Sequence, residues 1–128
     1  MNFSSLDKRT VLIVDDDAIS RDALAQILRG QGYQAYHAEN GQQALDWLRS
    51  SYSRPGLILL DLDMPVIDGR KSLSRLSLLS GATPIVIVIT GHDPRFVPGA
   101  AAVLRKPIFP SQLLGLIQGL VVLREKFD

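Results

Sequence analysis

The sequence predicts an α/β domain in which a parallel β-sheet of five strands carries helices on both faces. Two observations predict this fold. Short apolar runs typical of buried strands alternate along the chain with segments whose apolar residues recur at helical spacing. Most of these runs also end on a polar residue, as strands of open parallel sheets do beside a ligand site. The 128 residues suit one hydrophobic core, so we expect a single domain over residues 1–128.

Composition narrows the class of protein. Hydrophobic residues make up 46% and charged residues 21%, and the net charge of +1 gives no strong field that would attract nucleic acid or an anionic membrane. The absence of cysteine excludes disulfides and thiolate metal sites. No signal peptide is visible, and no apolar run is long enough to cross a bilayer. We therefore expect a soluble, cytoplasmic domain without direct nucleic-acid or membrane binding.

The first two predicted strands flank a helix. The run VLIV stops at Asp15, Asp16 and Asp17, and residues 18–29 then show helical periodicity that two glycines end. Gln34–Ala38 is short and partly polar, which suits an edge strand. A capping box, Asn40 with Gln43, opens the second helix.

The remaining strands are also marked by apolar runs. A connecting turn over residues 52–56 leads to the run LILL, which is bounded by proline and ends on Asp61. The segment GHDPRFVPG holds two prolines and so cannot form a regular long helix. The other expected elements are a helix from Asp68, a strand over residues 85–89 that ends on Thr90, a strand over residues 100–104 that precedes Lys106, and a helix from Pro110 to about Arg124.

Four of the five predicted strands end on polar groups that can act together. In a parallel sheet these ends share one edge, so the side chains are expected to converge. They are the acids at positions 15–17, Asp61, Thr90 and Lys106. Clustered carboxylates repel one another by about 1 kcal/mol per pair at about 4 Å in water, so a cation must offset them. Mg²⁺ suits an open acidic cluster, while a lysine and a hydroxyl suit a phosphoryl group. These residues indicate that a carboxylate nucleophile takes a phosphoryl group beside Mg²⁺.

Five stretches then resemble the receiver domains of two-component response regulators. They are VLIVDDD, AENGQQAL, LLDLDMPVIDG, PIVIVITG and LRKP, in the family's order and spacing. The resemblance implies a flavodoxin-like fold with strand order 2-1-3-4-5. It also implies that the domain receives its phosphoryl group from a sensor histidine kinase or a histidine phosphotransfer protein and switches a protein-interaction surface.

Carried over residue by residue, the resemblance makes Asp61 the phosphoacceptor. The Mg²⁺ ligands would be Asp61, Asp16 directly, Asp15 through water and Asp63 through its main-chain carbonyl. Thr90 and Lys106 would each bind a phosphoryl oxygen. The Lys106–Pro107 peptide is expected to be cis.

Three features depart from the family's pattern. Lys106 lies only 16 positions after Thr90, so the fourth helix of the family should be shortened or replaced by a loop. Val103 stands where the family usually carries an aromatic switch residue, which affects how phosphorylation is read out. Asp63 replaces a neutral side chain beside the acceptor and is expected to alter the lifetime of the phosphoryl group.

The same residues allow other interpretations of the site and of the function. The three acids could merely cap the helix that follows, or the metal pair could be Asp16 and Asp17. A phosphatase of the haloacid-dehalogenase type also combines DLD with a later threonine and lysine, although its paired acids follow the lysine. A receiver-like binding module could act without phosphorylation. His37 and His92 have no second ligand at metal spacing, so both are expected to be bystanders.

The final predicted helix is apolar around more of its circumference than one buried stripe requires. Some of its side chains should be exposed, either over the region of the missing fourth helix or as the surface of a homodimer. Gly115 and Gly119 are unfavourable inside a helix, and close approach of another backbone is the expected reason for them.

Overall fold

A computed structural model describes residues 6–50, 54–63, 84–92, 97 and 99–127. The helix expected from Asp68 lies outside these residues. Within them, the chain forms the following elements in order: β1 (Leu6–Val14), α1 (Ala18–Arg29), β2 (Gln34–Ala38), α2 (Gly41–Ser50), β3 (Arg54–Asp61), β4 (Ile85–Thr90), β5 (Ala102–Arg105) and the C-terminal helix α3 (Pro110–Phe127).

The sheet confirms the predicted topology. Its order is β2-β1-β3-β4-β5, and all four neighbouring pairs are parallel. The strands β1, β3 and β4 therefore lie in the interior, which explains why their apolar runs are continuous rather than alternating. Alternate residues of these strands face two separate core clusters, one with α1 and α3 and the other with α2.

The strands β1 and β3 begin earlier than expected. Leu6 pairs with Arg54 and Asp7 with Pro55, and the register shifts before Val11 pairs with Leu57. The predicted turn over residues 52–56 was therefore wrong for residues 54–56, which belong to β3. Pro55 lacks an amide donor, and it lies next to the register shift, where a sheet tolerates proline.

The connection between β4 and β5 contains no helical residue among positions 91, 92, 97 and 99–101. This agrees with a shortened or replaced fourth helix, although residues 93–96 and 98 lie outside the described part of the chain. Val97 is 3% exposed and packs in the α2-side core. Gly99 has a φ of 88°, a left-handed conformation that suits glycine.

The C-terminal helix buries one face and exposes another. Leu113 and Ile117 are buried in the core cluster that α3 shares with α1, whereas Val122 is 61% and Leu123 is 53% exposed, which confirms that part of the apolar surface is uncovered. Apart from the helix's own neighbouring backbone, a β-carbon added at Gly115 or Gly119 would meet no atom of the described residues within 4 Å. The expected close approach of another backbone at these glycines is therefore not found in the described part of the chain. Among the described residues, no helix has the length and apolar character needed to span a membrane.

Alanine at these two helix positions should stabilise the fold. Because the added methyl groups meet open space, Gly115→Ala and Gly119→Ala are each expected to raise the free energy of unfolding by about 1 kcal/mol, through the higher helix propensity of alanine. Urea denaturation of each variant measures this change. Gly32→Ala serves as the opposite control, because Gly32 has a φ of 89° and its substitution should destabilise the protein. Unchanged or lowered stability of the helix variants would contradict the prediction.

Candidate functional site

The parallel sheet brings the polar strand ends together at one edge. Asp61 is the last residue of the central strand β3, Asp15 directly follows the flanking strand β1, and Thr90 ends the other flanking strand, β4. Lys106 follows β5, and its backbone N–H donates to the carbonyl of Thr90 at 2.8 Å. This hydrogen bond ties the end of the outer strand to the edge of the site. The Lys106–Pro107 peptide is cis, as predicted.

Three carboxylates form a compact acidic cluster. One ligand oxygen from each of Asp15, Asp16 and Asp61 lies within 4.8 Å of the others. Asp15 and Asp61 are 3% and 4% exposed, whereas Asp16 is open to solvent. Asp17 instead caps α1, accepting hydrogen bonds from the backbone N–H of Ile19 and the hydroxyl of Ser20. This geometry favours Asp15 and Asp16, rather than Asp16 and Asp17, as the acidic pair.

Asp15 shows the electrostatic cost of this arrangement. The pKa of its carboxyl is raised to about 6, mainly by burial and in part by the nearby charge of Asp61, against the lowering effect of the Asp17 backbone N–H and Lys106. The backbone of Asp15 is held by the Ala38 carbonyl at 3.0 Å and by the Arg21 guanidinium at 2.8 Å. The carboxyl is therefore fixed in place although its charge is unfavourable there.

Lys106 supplies the positive charge. Its Nζ lies 3.2 Å from Asp61 Oδ2 and 3.8 Å from Asp63 Oδ2. Burial alone would lower the pKa of the Lys106 ammonium, but its hydrogen bond to Asp61 and the charges of Asp61, Asp15 and Asp63 raise that pKa above its ordinary value. The ammonium therefore stays protonated at neutral pH and can pair with an anion at Asp61.

The side chain of Asp63 points away from the acidic cluster towards the end of β4. Its Oδ1 accepts the Thr90 hydroxyl at 3.1 Å, and its Oδ2 accepts the backbone N–H of Gly91. The Asp63 backbone N–H donates to Asp61 Oδ1 at 2.9 Å. Burial alone would raise the pKa of the Asp63 carboxyl, but the hydrogen bonds from Gly91 and Thr90 and the charge of Lys106 keep it below its ordinary value.

Sequence reasoning missed two neighbours of this carboxylate. Gly91 contributes a backbone N–H, and His92 places its Nδ1 3.3 Å from Asp63 Oδ1. They are the two residues that follow Thr90, so their position just beyond a strand that ends at the site could have indicated a role for them. His37 lies instead on β2, where its Nδ1 is 3.9 Å from Asp22 on α1.

A shallow cleft of about 230 Å³ lies beside the cluster. One wall is formed by α1 through Ser20, Ala23 and Ile27, and the other by Lys106 and the two residues that follow it. Ile19 on the same helix is 81% exposed. The acidic site therefore opens onto a partly apolar surface rather than onto a deep cavity.

Comparisons with known proteins agree with this geometry. The family model described as "Response regulator receiver domain" matches residues 11–118. Sporulation initiation phosphotransferase F of Bacillus subtilis is 37% identical over 78 residues, which cover 61% of either chain. The DNA-binding response regulator MtrA of Mycobacterium tuberculosis is 32% identical over 116 residues, 87% of this chain and 50% of that protein. The chain spans between 20% and 61% of the length of such relatives.

Solved structures are similar over the whole fold. A CheY-like receiver domain protein of Methanospirillum hungatei is 29% identical with a TM-score of 0.82, covering 97% of this chain and all of that one. Response regulator TrrA of Thermotoga maritima, solved in complex with Mg²⁺-BeF, is 25% identical with a TM-score of 0.77, covering 88% of this chain and 98% of that one. The match over residues 11–118, the strand order and the convergent acids together show that this chain belongs to the response regulator receiver domain family of two-component systems.

Proposed function

We propose that Asp61 is the phosphoacceptor of this receiver domain. The observation that supports this most directly is the position of its carboxylate, which is buried at the end of the central strand and paired with Lys106 at 3.2 Å. In the proposed transfer, an oxygen of Asp61 attacks the phosphorus of a phosphohistidine. The new O–P bond forms as the N–P bond breaks, and the imidazole leaves with its electron pair.

Residues around Asp61 are suited to bind the transferred group. The ammonium of Lys106 would pair with one phosphoryl oxygen, and the hydroxyl of Thr90 would donate to another. Asp61 and Thr90 are 4% and 6% exposed, so both are largely screened from water. A phosphoryl group held here interacts with these donors more strongly than it would in bulk water.

The acidic cluster fits Mg²⁺. Three hard oxygen ligands lie within 4.8 Å of one another. Burial and, to a lesser extent, the charge of Asp61 raise the pKa of Asp15, so a bound cation would favour the charged carboxylates of this cluster. We assign Asp16 and Asp61 as direct ligands, Asp15 as a ligand through water and the main-chain carbonyl of Asp63 as a further ligand. When bound, Mg²⁺ would neutralise charge on the acceptor carboxylate and the incoming phosphoryl group.

The partner in this proposal is a sensor histidine kinase or a histidine phosphotransfer protein. Its phosphohistidine must reach Asp61 from the open side of the site, where the cleft between α1 and residues 106–108 lies. The exposed Ile19 beside that cleft gives the docking surface an apolar anchor. The absence of direct nucleic-acid binding and the cytoplasmic location stay predictions from the sequence.

Val103 bears on how a phosphoryl group at Asp61 would be read out at the surface. Val103 lies half-buried in β5, where the family's aromatic switch would stand, so it offers no ring to move when Thr90 is drawn to a phosphoryl group. This observation favours, as a second candidate, a binding module whose output is independent of phosphorylation. The exposed Val122 and Leu123 offer a surface for a homodimer through the C-terminal helix. The main proposal expects phosphorylation to change association through this surface, whereas the second candidate expects the same association with and without a phosphoryl group. Sedimentation with and without the phosphoryl mimic beryllofluoride separates the two candidates, since an unchanged oligomeric state favours the second.

Stoichiometric labelling tests the main proposal. A small phosphodonor with Mg²⁺ is expected to add one phosphoryl group per chain, because the acceptor is consumed rather than regenerated rapidly. Intact-mass spectrometry measures the stoichiometry, and peptide mapping after borohydride trapping locates the acyl phosphate. Many turnovers on phosphomonoesters would instead show a phosphatase, and would overturn the assignment as a signalling acceptor.

A further inference from the structure

The carboxylate of Asp63 lies among the hydrogen-bond donors that the phosphorylated domain requires. Its Oδ1 is bonded to the hydroxyl of Thr90, and its Oδ2 accepts from Gly91 and lies 3.8 Å from the Nζ of Lys106. Thr90 and Lys106 are the two groups assigned above to the phosphoryl oxygens. The side chain of Asp63 thus engages the same hydroxyl and ammonium that an anion on Asp61 would engage.

From this geometry we propose that Asp63 is an internal competitor of the phosphoryl group: in the unmodified protein its carboxylate occupies the anion-binding donors, and phosphorylation must displace it. The inference rests on the proposed function of Asp61 and adds a residue that controls how easily the site is filled. It gives the side chain of Asp63 a role in controlling access to the site, beyond the added charge that the sequence led us to expect.

The hydrogen-bond directions support occupancy rather than simple proximity. The backbone N–H of His92 donates to Thr90 Oγ1 at 3.1 Å, so that oxygen already accepts one bond, and its own proton is directed to Asp63 Oδ1 at 3.1 Å. Thr90 cannot make the same donation to a phosphoryl oxygen while this bond persists, because a hydroxyl has only one proton.

The absence of a side chain at Gly91 supports the same inference. A β-carbon at this position would lie 3.1 Å from Asp63 Oδ2, closer than such contacts normally allow. The missing side chain therefore leaves space for the carboxylate to reach the Gly91 backbone N–H. The backbone N–H of Asp63 donates to Asp61 Oδ1 at 2.9 Å, which places the competing residue next to the acceptor.

Two substitutions of Asp63 remove the same negative charge but differ in the hydrogen-bond acceptors that remain. Comparing them separates occupancy of the donors by the carboxylate from a general effect of its charge on anion binding. Asp63→Asn keeps one side-chain oxygen, which can accept from either Thr90 or Gly91, whereas Asp63→Ala removes both acceptors. If the carboxylate holds the donors for about nine-tenths of the time, Asp63→Ala should tighten beryllofluoride binding by about tenfold, since apparent affinity scales with the competent fraction. Asp63→Asn should give a smaller gain.

The measurement is a beryllofluoride titration in saturating Mg²⁺, followed by ¹⁹F NMR on the full chain. Asp17→Asn is the matched control, because it removes an exposed carboxylate near the site that caps α1 and does not touch these donors. Its affinity should change less than about twofold, since exposed charges are well screened at physiological salt. Equal gains for the two Asp63 variants, or no gain, would overturn the inference while leaving the function of Asp61 intact. Failure of the wild type to bind the mimic would instead remove the proposed function, and the inference with it.

Discussion

Asparagine at position 61 is expected to abolish phosphoryl labelling of the chain, with a loss on the order of a thousandfold or more, because an amide oxygen cannot replace a carboxylate nucleophile. The substitution keeps the size of the side chain and the acceptor for the backbone N–H of Asp63. It also removes one of three clustered carboxylates, so the variant should stay folded. The measurement is phosphoprotein formation over time with a small phosphodonor and Mg²⁺, together with the thermal unfolding midpoint of each protein.

The strongest control is the neighbouring carboxylate. Asp63 also contacts Thr90 and lies 3.8 Å from the Lys106 ammonium, so proximity to these donors does not by itself identify the acceptor. Asp63→Asn should retain labelling, whereas Asp61→Asn should lose it. Asp46 on α2 provides a second control, since Asp46→Asn removes an exposed carboxylate that accepts a hydrogen bond from Gln42 on the same helix. Labelling of Asp61→Asn at the wild-type rate would exclude Asp61 as the acceptor.

The convergence of the site was predictable because it follows from the sheet rather than from side-chain detail. Once five buried-type strands alternate with helices, parallel pairing places every carboxyl end on one edge. Asp15, Asp61, Thr90 and Lys106 therefore had to approach one another, whatever the lengths of the loops. The structure agrees at each of these positions, and the burial of Asp61 follows from its place on the central strand.

The direction of the Asp63 side chain could not be predicted in the same way. It depends on donors at Thr90 and Gly91, which are 27 and 28 positions away in sequence, and on a rotamer that no local pattern specifies. The proline and glycine at positions 55 and 56 predicted a turn from local sequence. Pairing with β1 instead holds this segment in an extended conformation as the start of β3. Local propensity is a weak guide wherever distant partners supply the contacts.

Asparagine at position 15 should have opposite effects in the absence and presence of Mg²⁺. In the folded protein the pKa of the Asp15 carboxyl is about 6, above its ordinary value of 3.8, so folding favours its protonated form. The resulting contribution to stability is complete below about pH 4 and is lost as the pH rises through about 6. At pH 7.5 the metal-free wild type therefore holds an unfavourable buried charge, and Asp15→Asn should raise its unfolding midpoint.

In Mg²⁺ the wild type should be the more stable of the two proteins, because the metal requires the charged carboxylate of Asp15. If Asp15 orients a metal-bound water, its loss should weaken Mg²⁺ binding by about 10- to 100-fold, the usual cost of removing such an outer contact. Wild-type affinity should also fall by roughly tenfold per pH unit below about pH 6, since one proton then competes with the metal, and this dependence should vanish in the variant. Thermal unfolding in EDTA and across a Mg²⁺ titration measures both effects.

Asp17→Asn controls for charge alone in this experiment. It also removes one carboxylate at the same strand end, but its side chain caps α1 outside the acidic cluster, so Mg²⁺ affinity should stay close to that of the wild type. The backbone N–H of Asp17 donates to Asp15 Oδ1, and the side-chain oxygen of an asparagine at position 15 can accept the same hydrogen bond. Asp15→Asn therefore preserves the local turn and changes only the charge of the side chain. Equal Mg²⁺ affinity of Asp15→Asn and wild type would show that the raised pKa reports burial only, and that Asp16 and Asp61 hold the metal without Asp15.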